Sequence, residues 1–129
     1  MQKGWQLVQG LLLDLAAFIK QQDMRLTIVA LPTQYQVHEE LWTHYFSTFG
    51  INPDLYDLNK PQKMLKDFCE QNQIEYIDVL PAMRSAGSQR QLFYPIASYM
   101  SPEGHRVVAD EVCKYLVGRA SEKPLSATP

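Results

Sequence analysis

The sequence predicts an α/β fold, in the form of a partial three-layer lobe whose helices pack on a parallel sheet. Two runs rich in apolar and β-branched residues, 25–31 and 74–80, are each followed by a proline, as buried strands often are. Helical spacing of apolar residues precedes the first run, separates the two runs and follows the second. Strands that alternate with helices indicate parallel pairing. The predicted order of elements is α-β-α-α-β-loop-α.

Two helices flank the first predicted strand. Residues 4–22 are expected to form an amphipathic helix. Its apolar positions are Trp5, Val8, Leu11 or Leu12, Leu15, and Phe18 or Ile19. After the strand and the loop "PTQYQ", a second helix is predicted near Val37 to Phe49, with Gly50 as its C-terminal cap.

The second half of the chain repeats the alternation. Asn59 is expected to cap a third helix with Pro61 in its first turn, and the strand 74–80 follows it. The stretch "MRSAGSQRQ" is predicted to be irregular, and "LFYPI" to be a short extended segment. The last helix is predicted to begin with Ser101 as N-cap and Pro102 at its first position.

The predicted sheet is too small to be stable alone. Two parallel strands normally need a third, with both faces covered. We therefore expect residues 1–118 to form a lobe of a larger fold that associates with itself or with a missing N-terminal lobe. The composition of residues 119–129, "ASEKPLSATP" and the residue before it, predicts a flexible tail.

Charge and composition exclude several classes of function. The formal net charge is −2, and the 12 lysine and arginine residues are scattered, which argues against nucleic acid as a partner. The apolar run near the start is interrupted by Gln9, Gly10 and Asp14, so neither a membrane span nor a secretory signal is expected. We expect a soluble chain, and no residue pattern indicates its compartment.

No metal or cofactor site is predicted. The two cysteines, Cys69 and Cys113, lie in helical patterns and are expected to be buried free thiols. The sequence has no CxxC, no HExxH and no glycine-rich phosphate loop. His38 and His44 are six residues apart, so they lie on different faces of the second helix.

Three stretches together resemble the C-terminal part of the SGNH/GDSL hydrolase family. They are "DMRLTIVALPTQYQV", "LKDFCEQNQIEYIDVLPAM" and "FYPIASYMSPEGHRVVADEV". The likeness is greatest to branches that act on acylated polysaccharides, and it covers nearly all of residues 4 to 117. The resemblance implies a three-layer parallel sheet, with ester hydrolysis or acyl transfer as the ancestral chemistry. It also implies a glycan or an acylated small molecule as the ligand.

The resemblance locates the catalytic positions, and this sequence departs from the family at each of them. Members carry Asp-x-His on the loop before the last helix, and these positions fall on Ala97 and Tyr99 here. Alanine cannot orient a base, and a phenol is a far weaker base than an imidazole at neutral pH. The family's Gly-Asp-Ser nucleophile block has no counterpart in the 129 residues. We therefore predict that no catalytic residue is intact, which leaves enzymatic activity of this chain in question.

Five residues remain candidates for a cleft. Thr33 and Gln34 follow the first strand, at the carboxyl end where α/β folds place ligands. The other three, Ser98, Ser101 and His105, belong to the last loop and the helix after it. Tyr35 and Trp42 either line a sugar-binding face or anchor the second helix to the core.

Three functional hypotheses follow. The first is a hydrolase-derived lobe that is inactive as this chain and whose serine lies elsewhere. The second is a binding or scaffold module that retains the hydrolase fold. The third is a receiver- or flavodoxin-type module, which fits the alternation but lacks an acidic cluster after the first strand.

Overall fold

The computed structural model describes residues 2–95 and 98–122. They form a mixed α/β fold that is mostly helical. The chain divides into two compact units. Unit 1 comprises the residues up to Ala30 together with Asn59–Asp78, and unit 2 comprises Leu31–Leu58 together with the residues from Val79 onward.

Unit 1 is built on two parallel strands. Strand β1 (Thr27–Ala30) pairs with β2 (Glu75–Asp78), in a register that runs from Thr27 opposite Glu75 to Ala30 opposite Asp78. The Thr27 hydroxyl donates a 2.7 Å hydrogen bond to the Glu75 carboxylate across the pair. The predicted parallel pairing is confirmed, although both strands are shorter than the predicted runs 25–31 and 74–80.

Two helices complete unit 1. They are α1 (Gln2–Gln21) and α4 (Lys60–Gln71), and their rings meet where Trp5 packs edge-on against Phe68 at 6.1 Å between ring centroids. Phe68 and Cys69 of α4 are buried, as the apolar spacing predicts. Asn59 has helical backbone angles and its side chain makes no capping bond, so the predicted cap is wrong.

The buried face of α1 differs from the predicted apolar set. The half-buried positions are Trp5, Gln9, Leu12, Ala16 and Ile19. Val8, Leu11, Leu15 and Phe18 are exposed instead. The helix has two adjacent apolar arcs, and spacing alone does not tell which one packs against the sheet.

Burial perturbs two acidic groups of unit 1. Desolvation, reinforced by the nearby charges of Asp78 and then Cys69, raises the pKa of Tyr76 to about 12. The Tyr76 hydroxyl donates a 3.3 Å hydrogen bond to the Gln62 carbonyl oxygen, which also favours the neutral phenol. Burial likewise raises the pKa of the Cys69 thiol.

Unit 2 begins with two helices where one is predicted. Helix α2 (Gln34–Val37) ends at His38, whose backbone angles (φ −115°, ψ 80°) are not helical, and α3 (Glu39–Thr48) starts directly after it. Gly50 has a φ of 65°, the left-handed conformation expected of the predicted C-terminal glycine. A short 3-10 helix, Pro53–Leu55, follows.

Helix α5 (Leu80–Gly87) replaces the stretch that is predicted to be irregular. Pro81 ends the strand pattern, but it also suits the first turn of a helix, where its missing N–H has no helical partner to lose. Leu80 and Met83 then point into the core of the unit and are buried. The prediction of an irregular segment is therefore wrong.

Helix α6 (Pro102–Glu122) is the longest in the chain. Its half-buried positions include Val108, Val112 and Tyr115, as predicted. The helix extends into the predicted tail, of which residues 123–129 lie outside the described part. Cys113 is exposed, contrary to the prediction of a buried thiol. None of the described helices is both long and apolar enough to cross a membrane.

Candidate functional site

The predicted loop and helix around Ser101 are held together by this serine. Ser101 is buried, and its hydroxyl donates a 2.9 Å hydrogen bond to the Gln91 carbonyl oxygen. The same oxygen accepts a hydrogen bond of 3.2 Å from the Gly104 N–H, which is the N-cap interaction that the sequence predicts. The Ser101 N–H donates to the Leu92 carbonyl oxygen at 2.9 Å. One residue therefore joins the start of α6 to the segment that precedes the loop.

Gly104 allows α6 to approach that segment closely. A Cβ at this position would collide with the Leu92 carbonyl oxygen and would lie only 2.5 Å from Cγ of Met100. Ordinary van der Waals contact begins near 3.4 Å, so an alanine would not fit without displacing main chain. We call Gln91, Leu92, Ser101 and Gly104 the cap frame.

Above the cap frame the chain folds back on itself. Phe93 and Met100 form an isolated antiparallel bridge, and the Tyr94 N–H donates a 2.8 Å hydrogen bond to the Tyr99 carbonyl oxygen. Ser98 has a φ of 53°, a left-handed conformation that is uncommon for a residue other than glycine. Ala97, at the family's aspartate position, lies outside the described residues.

Two tyrosines project from this closed loop. Tyr94 is 51% exposed and Tyr99, at the family's histidine position, is 73% exposed. We call them the tyrosine pair. Because their main-chain atoms are hydrogen bonded to each other, the two rings are presented from a fixed base. Phenol rings of this kind offer a flat apolar face and a hydroxyl group to a ligand.

His105 lies in the first turn of α6. It is exposed, and its N–H donates a 3.0 Å hydrogen bond to the Ser101 carbonyl oxygen. Beside it, the Glu103 carboxylate accepts hydrogen bonds from Arg90 at 2.6 Å and from Arg106 at 2.8 Å. These exposed ion pairs add little stability but tie the helix start to the segment before the loop.

The structure places the five predicted cleft residues in two groups. Ser98, Ser101 and His105 belong to the loop and the first turn of α6. Thr33 and Gln34 open α2, and their main-chain hydrogen bonds run within residues 33–38. Thr33 is exposed, whereas Gln34 is buried and its carbonyl oxygen accepts a bond from the His38 N–H at 2.8 Å.

Gln36 is the organising polar residue that the sequence analysis missed. It is buried, and its side-chain carbonyl accepts a 2.9 Å hydrogen bond from the Thr33 N–H. Its amide donates to the Leu58 carbonyl oxygen at 2.7 Å, and its own carbonyl accepts from Nε of Arg84 at 2.7 Å. The pattern Thr-x-x-Gln is a capping-box signature, and it was available in the sequence.

Arg84 links α5 to this corner of unit 2. Its Nη2 lies 2.7 Å from Oε1 of Glu39, close enough for an ion pair, although the two groups are not aligned for a hydrogen bond. The pair holds α5 to the start of α3. Its role is therefore structural, and it adds no group to the loop site.

Tyr35 and Trp42 belong to a cluster of aromatic rings. The Trp42 ring packs on Phe46 at 4.0 Å between centroids and meets Tyr35 edge-on at 5.9 Å. Tyr45 and Tyr56 extend the cluster toward solvent. Both predicted residues are half-buried, so their rings serve packing and leave only their edges for a ligand.

The described histidines and acids form no metal centre. His38 is half-buried, with its ring 6.3 Å from Phe93 and its Nδ1 3.5 Å from the Glu40 carboxylate, and His44 is exposed on α3. Among the described residues, no group of three or more His, Cys, Asp or Glu side chains is arranged to hold a metal ion.

Comparisons with protein-family models, with curated proteins and with solved structures found no match for this chain.

Proposed function

We propose that this chain is a lobe of the SGNH-hydrolase type that binds an acylated carbohydrate at its tyrosine pair and does not cleave it. The observation that supports the proposal is the contrast at this loop between a fixed main chain and exposed rings. The Tyr94 N–H and the Tyr99 carbonyl are hydrogen bonded at 2.8 Å, yet both side chains are more than half exposed.

Such an arrangement favours binding because little flexibility is lost when a ligand arrives. The loop is closed by main-chain hydrogen bonds, and the cap frame fixes its base. A preorganised loop avoids most of the entropic cost of ordering on association. The apolar faces of the two rings suit the C–H surface of a sugar, and their hydroxyl groups suit its polar edge.

Cleavage would need groups that are not available at this loop. Ester hydrolysis by the family's mechanism requires a serine, a base that takes its proton and an acid that orients the base. Tyr99 stands at the base position, and the neighbouring His105 belongs to the helix rather than to the loop. Loss of triad members lowers rates on the order of 10⁴-fold or more.

The alternative function is ester hydrolysis or acyl transfer in an assembly that supplies the serine from elsewhere. The two-stranded sheet of unit 1 favours it, since such a sheet is smaller than an independent fold requires. Under this alternative the double change Ala97→Asp with Tyr99→His would restore activity only when a serine-bearing part is added.

Binding can be tested with O-acetylated xylo-oligosaccharides and their deacetylated counterparts as probes, in calorimetric titrations of the 129-residue chain. We expect the acetylated probe to bind and Tyr99→Ala to weaken binding at least about tenfold. Tyr45→Ala, which removes another exposed tyrosine of unit 2, serves as the matched control and should leave affinity unchanged. Loss of binding in the control instead would place the ligand on the aromatic cluster.

Hydrolysis can be tested with p-nitrophenyl acetate. We expect no release of p-nitrophenol above the buffer rate from the 129-residue chain. Release that is abolished by Ser98→Ala or by His105→Ala would contradict the proposal, because it would show that the loop has its own nucleophile or base. Release that neither change affects would refute our account of the site as well.

A further inference from the structure

Helix α1 has two apolar faces, and only one of them packs within unit 1. The exposed face, which we call the α1 stripe, consists of Gly4, Leu7, Leu11, Leu15 and Phe18. At about 100° per residue, the stripe is centred about 120° around the helix from the half-buried face. A surface helix normally places polar residues at that angle, so the stripe indicates a second packing partner.

Strand β1 also has a free side. Within the described residues the sheet consists of β1 and β2 alone, so β1 has a neighbour on one edge. In a parallel pair, alternate N–H and C=O groups of a strand point away from its partner. Those groups of Thr27–Ala30 form an open edge that can accept another strand.

We propose that a second copy of this chain covers both surfaces, the α1 stripe and the open edge of β1. A twofold axis perpendicular to the sheet pairs the two β1 strands antiparallel and keeps both α1 helices on the same face. The pairing would give a continuous four-stranded sheet. The two α1 helices then lie antiparallel beside each other above the new seam.

The spacing of the α1 stripe fits its own copy. Its successive gaps are three, four, four and three residues, which read the same from either end. An antiparallel partner therefore places Leu11 against Leu11, Leu7 against Leu15 and Phe18 against Gly4. The surroundings of Gly4 are open, so a large ring has room opposite the smallest residue. A foreign partner would need a strand and a matching stripe of its own.

The exposed surface is of the right order for a dimer. The apolar side chains of the stripe, at roughly half exposure each, present on the order of 400 Å², about half of one side of a standard interface. A patch of this size on a lone monomer is usually functional. The main-chain edge of β1 adds to the area that the second copy would cover.

Two substitutions on α1 give a matched test. Leu15 in the stripe is 43% exposed and Leu13, on the other side of the helix, is 42% exposed. Light scattering after size exclusion should give wild type at about 100 µM twice the mass of one 14.9 kDa chain. Leu15→Lys should raise the dimer dissociation constant at least about tenfold, whereas Leu13→Lys should leave it unchanged. Far-UV circular dichroism verifies that both variants are folded.

Cross-linking tests the geometry independently of affinity. In a Cys113→Ser background, Leu11→Cys should form a disulfide-linked dimer on mild oxidation, and Leu13→Cys should remain monomeric. A wild-type monomer at every accessible concentration would overturn the proposal. Equal dimerisation of the Leu13 and Leu15 variants, or equal cross-linking of the Leu11 and Leu13 variants, would overturn it as well.

Discussion

Replacing Gly104 by alanine tests the packing at the base of the loop. The new Cβ would collide with the Leu92 carbonyl oxygen and would lie 2.5 Å from Cγ of Met100. Methionine can move, but the carbonyl belongs to main chain that the Ser101 N–H already bonds at 2.9 Å. The overlap therefore has to be relieved by moving α6 away from the segment before the loop.

The size of the effect follows from two opposing contributions. Overpacking in a tight site costs about 1–3 kcal/mol, and main-chain contact favours the upper end of that range. Alanine in place of glycine in a helix returns at most about 1 kcal/mol. We expect a net loss of about 2 kcal/mol in the free energy of unfolding. For a chain of this length, that loss lowers the melting temperature by about 6–10 °C.

Gly118→Ala provides the control within the same helix. Gly118 is exposed and no atom lies within 4 Å of its added Cβ, so only the helix propensity changes. Thermal and urea unfolding followed by circular dichroism should show Gly118→Ala at or slightly above wild-type stability and Gly104→Ala clearly below it. If Gly104→Ala were as stable as Gly118→Ala, the close approach of α6 to Leu92 would be refuted.

Three further predictions concern buried polar and ionisable groups. Gln36→Leu should cost about 1–3 kcal/mol in urea unfolding, because two backbone groups lose their buried amide partner, and an unchanged midpoint would refute the role assigned to Gln36. Tyr76 has a folded pKa of about 12, against 10.0 ordinarily, so the stability it contributes is complete below pH 10 and is lost as pH rises to about 12. Wild type should therefore lose stability more steeply over that interval than Tyr76→Phe, and equal slopes would contradict the shift. Ellman's reagent should label one thiol rapidly in the folded chain and none in Cys113→Ser, because Cys69 is buried, whereas two rapid thiols would show that Cys69 is accessible.

Local patterns were sufficient to predict much of the fold. The β-branched runs gave both strands and their parallel pairing, because a strand and its crossover helix leave separate signals. The Ser101–Pro102 start of α6 followed from capping chemistry alone. These features depend on residues within a few positions of one another.

The errors came where one signal has two meanings. Pro81 ends a strand and also begins a helix, and only the burial of Met83 in the folded unit decides for α5. Helix α1 has two apolar arcs, and a sheet chooses one of them only through tertiary packing. The break at His38 depends on the bonds of Gln36 to Leu58 and of Arg84 to Gln36, which join residues far apart in the chain.

The candidate site was predictable in position but not in form. The loop before α6 was identified from the sequence, together with Tyr99 at the place of the base. The pairing of Tyr94 with Tyr99 across the loop, and the glycine contact beneath it, arise from long-range main-chain geometry that no spacing rule contains. The kinship with SGNH hydrolases stays a prediction.

The most direct test of the account follows binding and cleavage in one sample. The ¹⁵N-labelled 129-residue chain would be titrated with O-acetylated xylotriose while the same spectrometer records free acetate. The account predicts amide shifts concentrated around Tyr94, Tyr99 and the first turn of α6, with no acetate formed over hours. Shifts confined to the aromatic cluster of α3, an absence of shifts, or the appearance of acetate would contradict it.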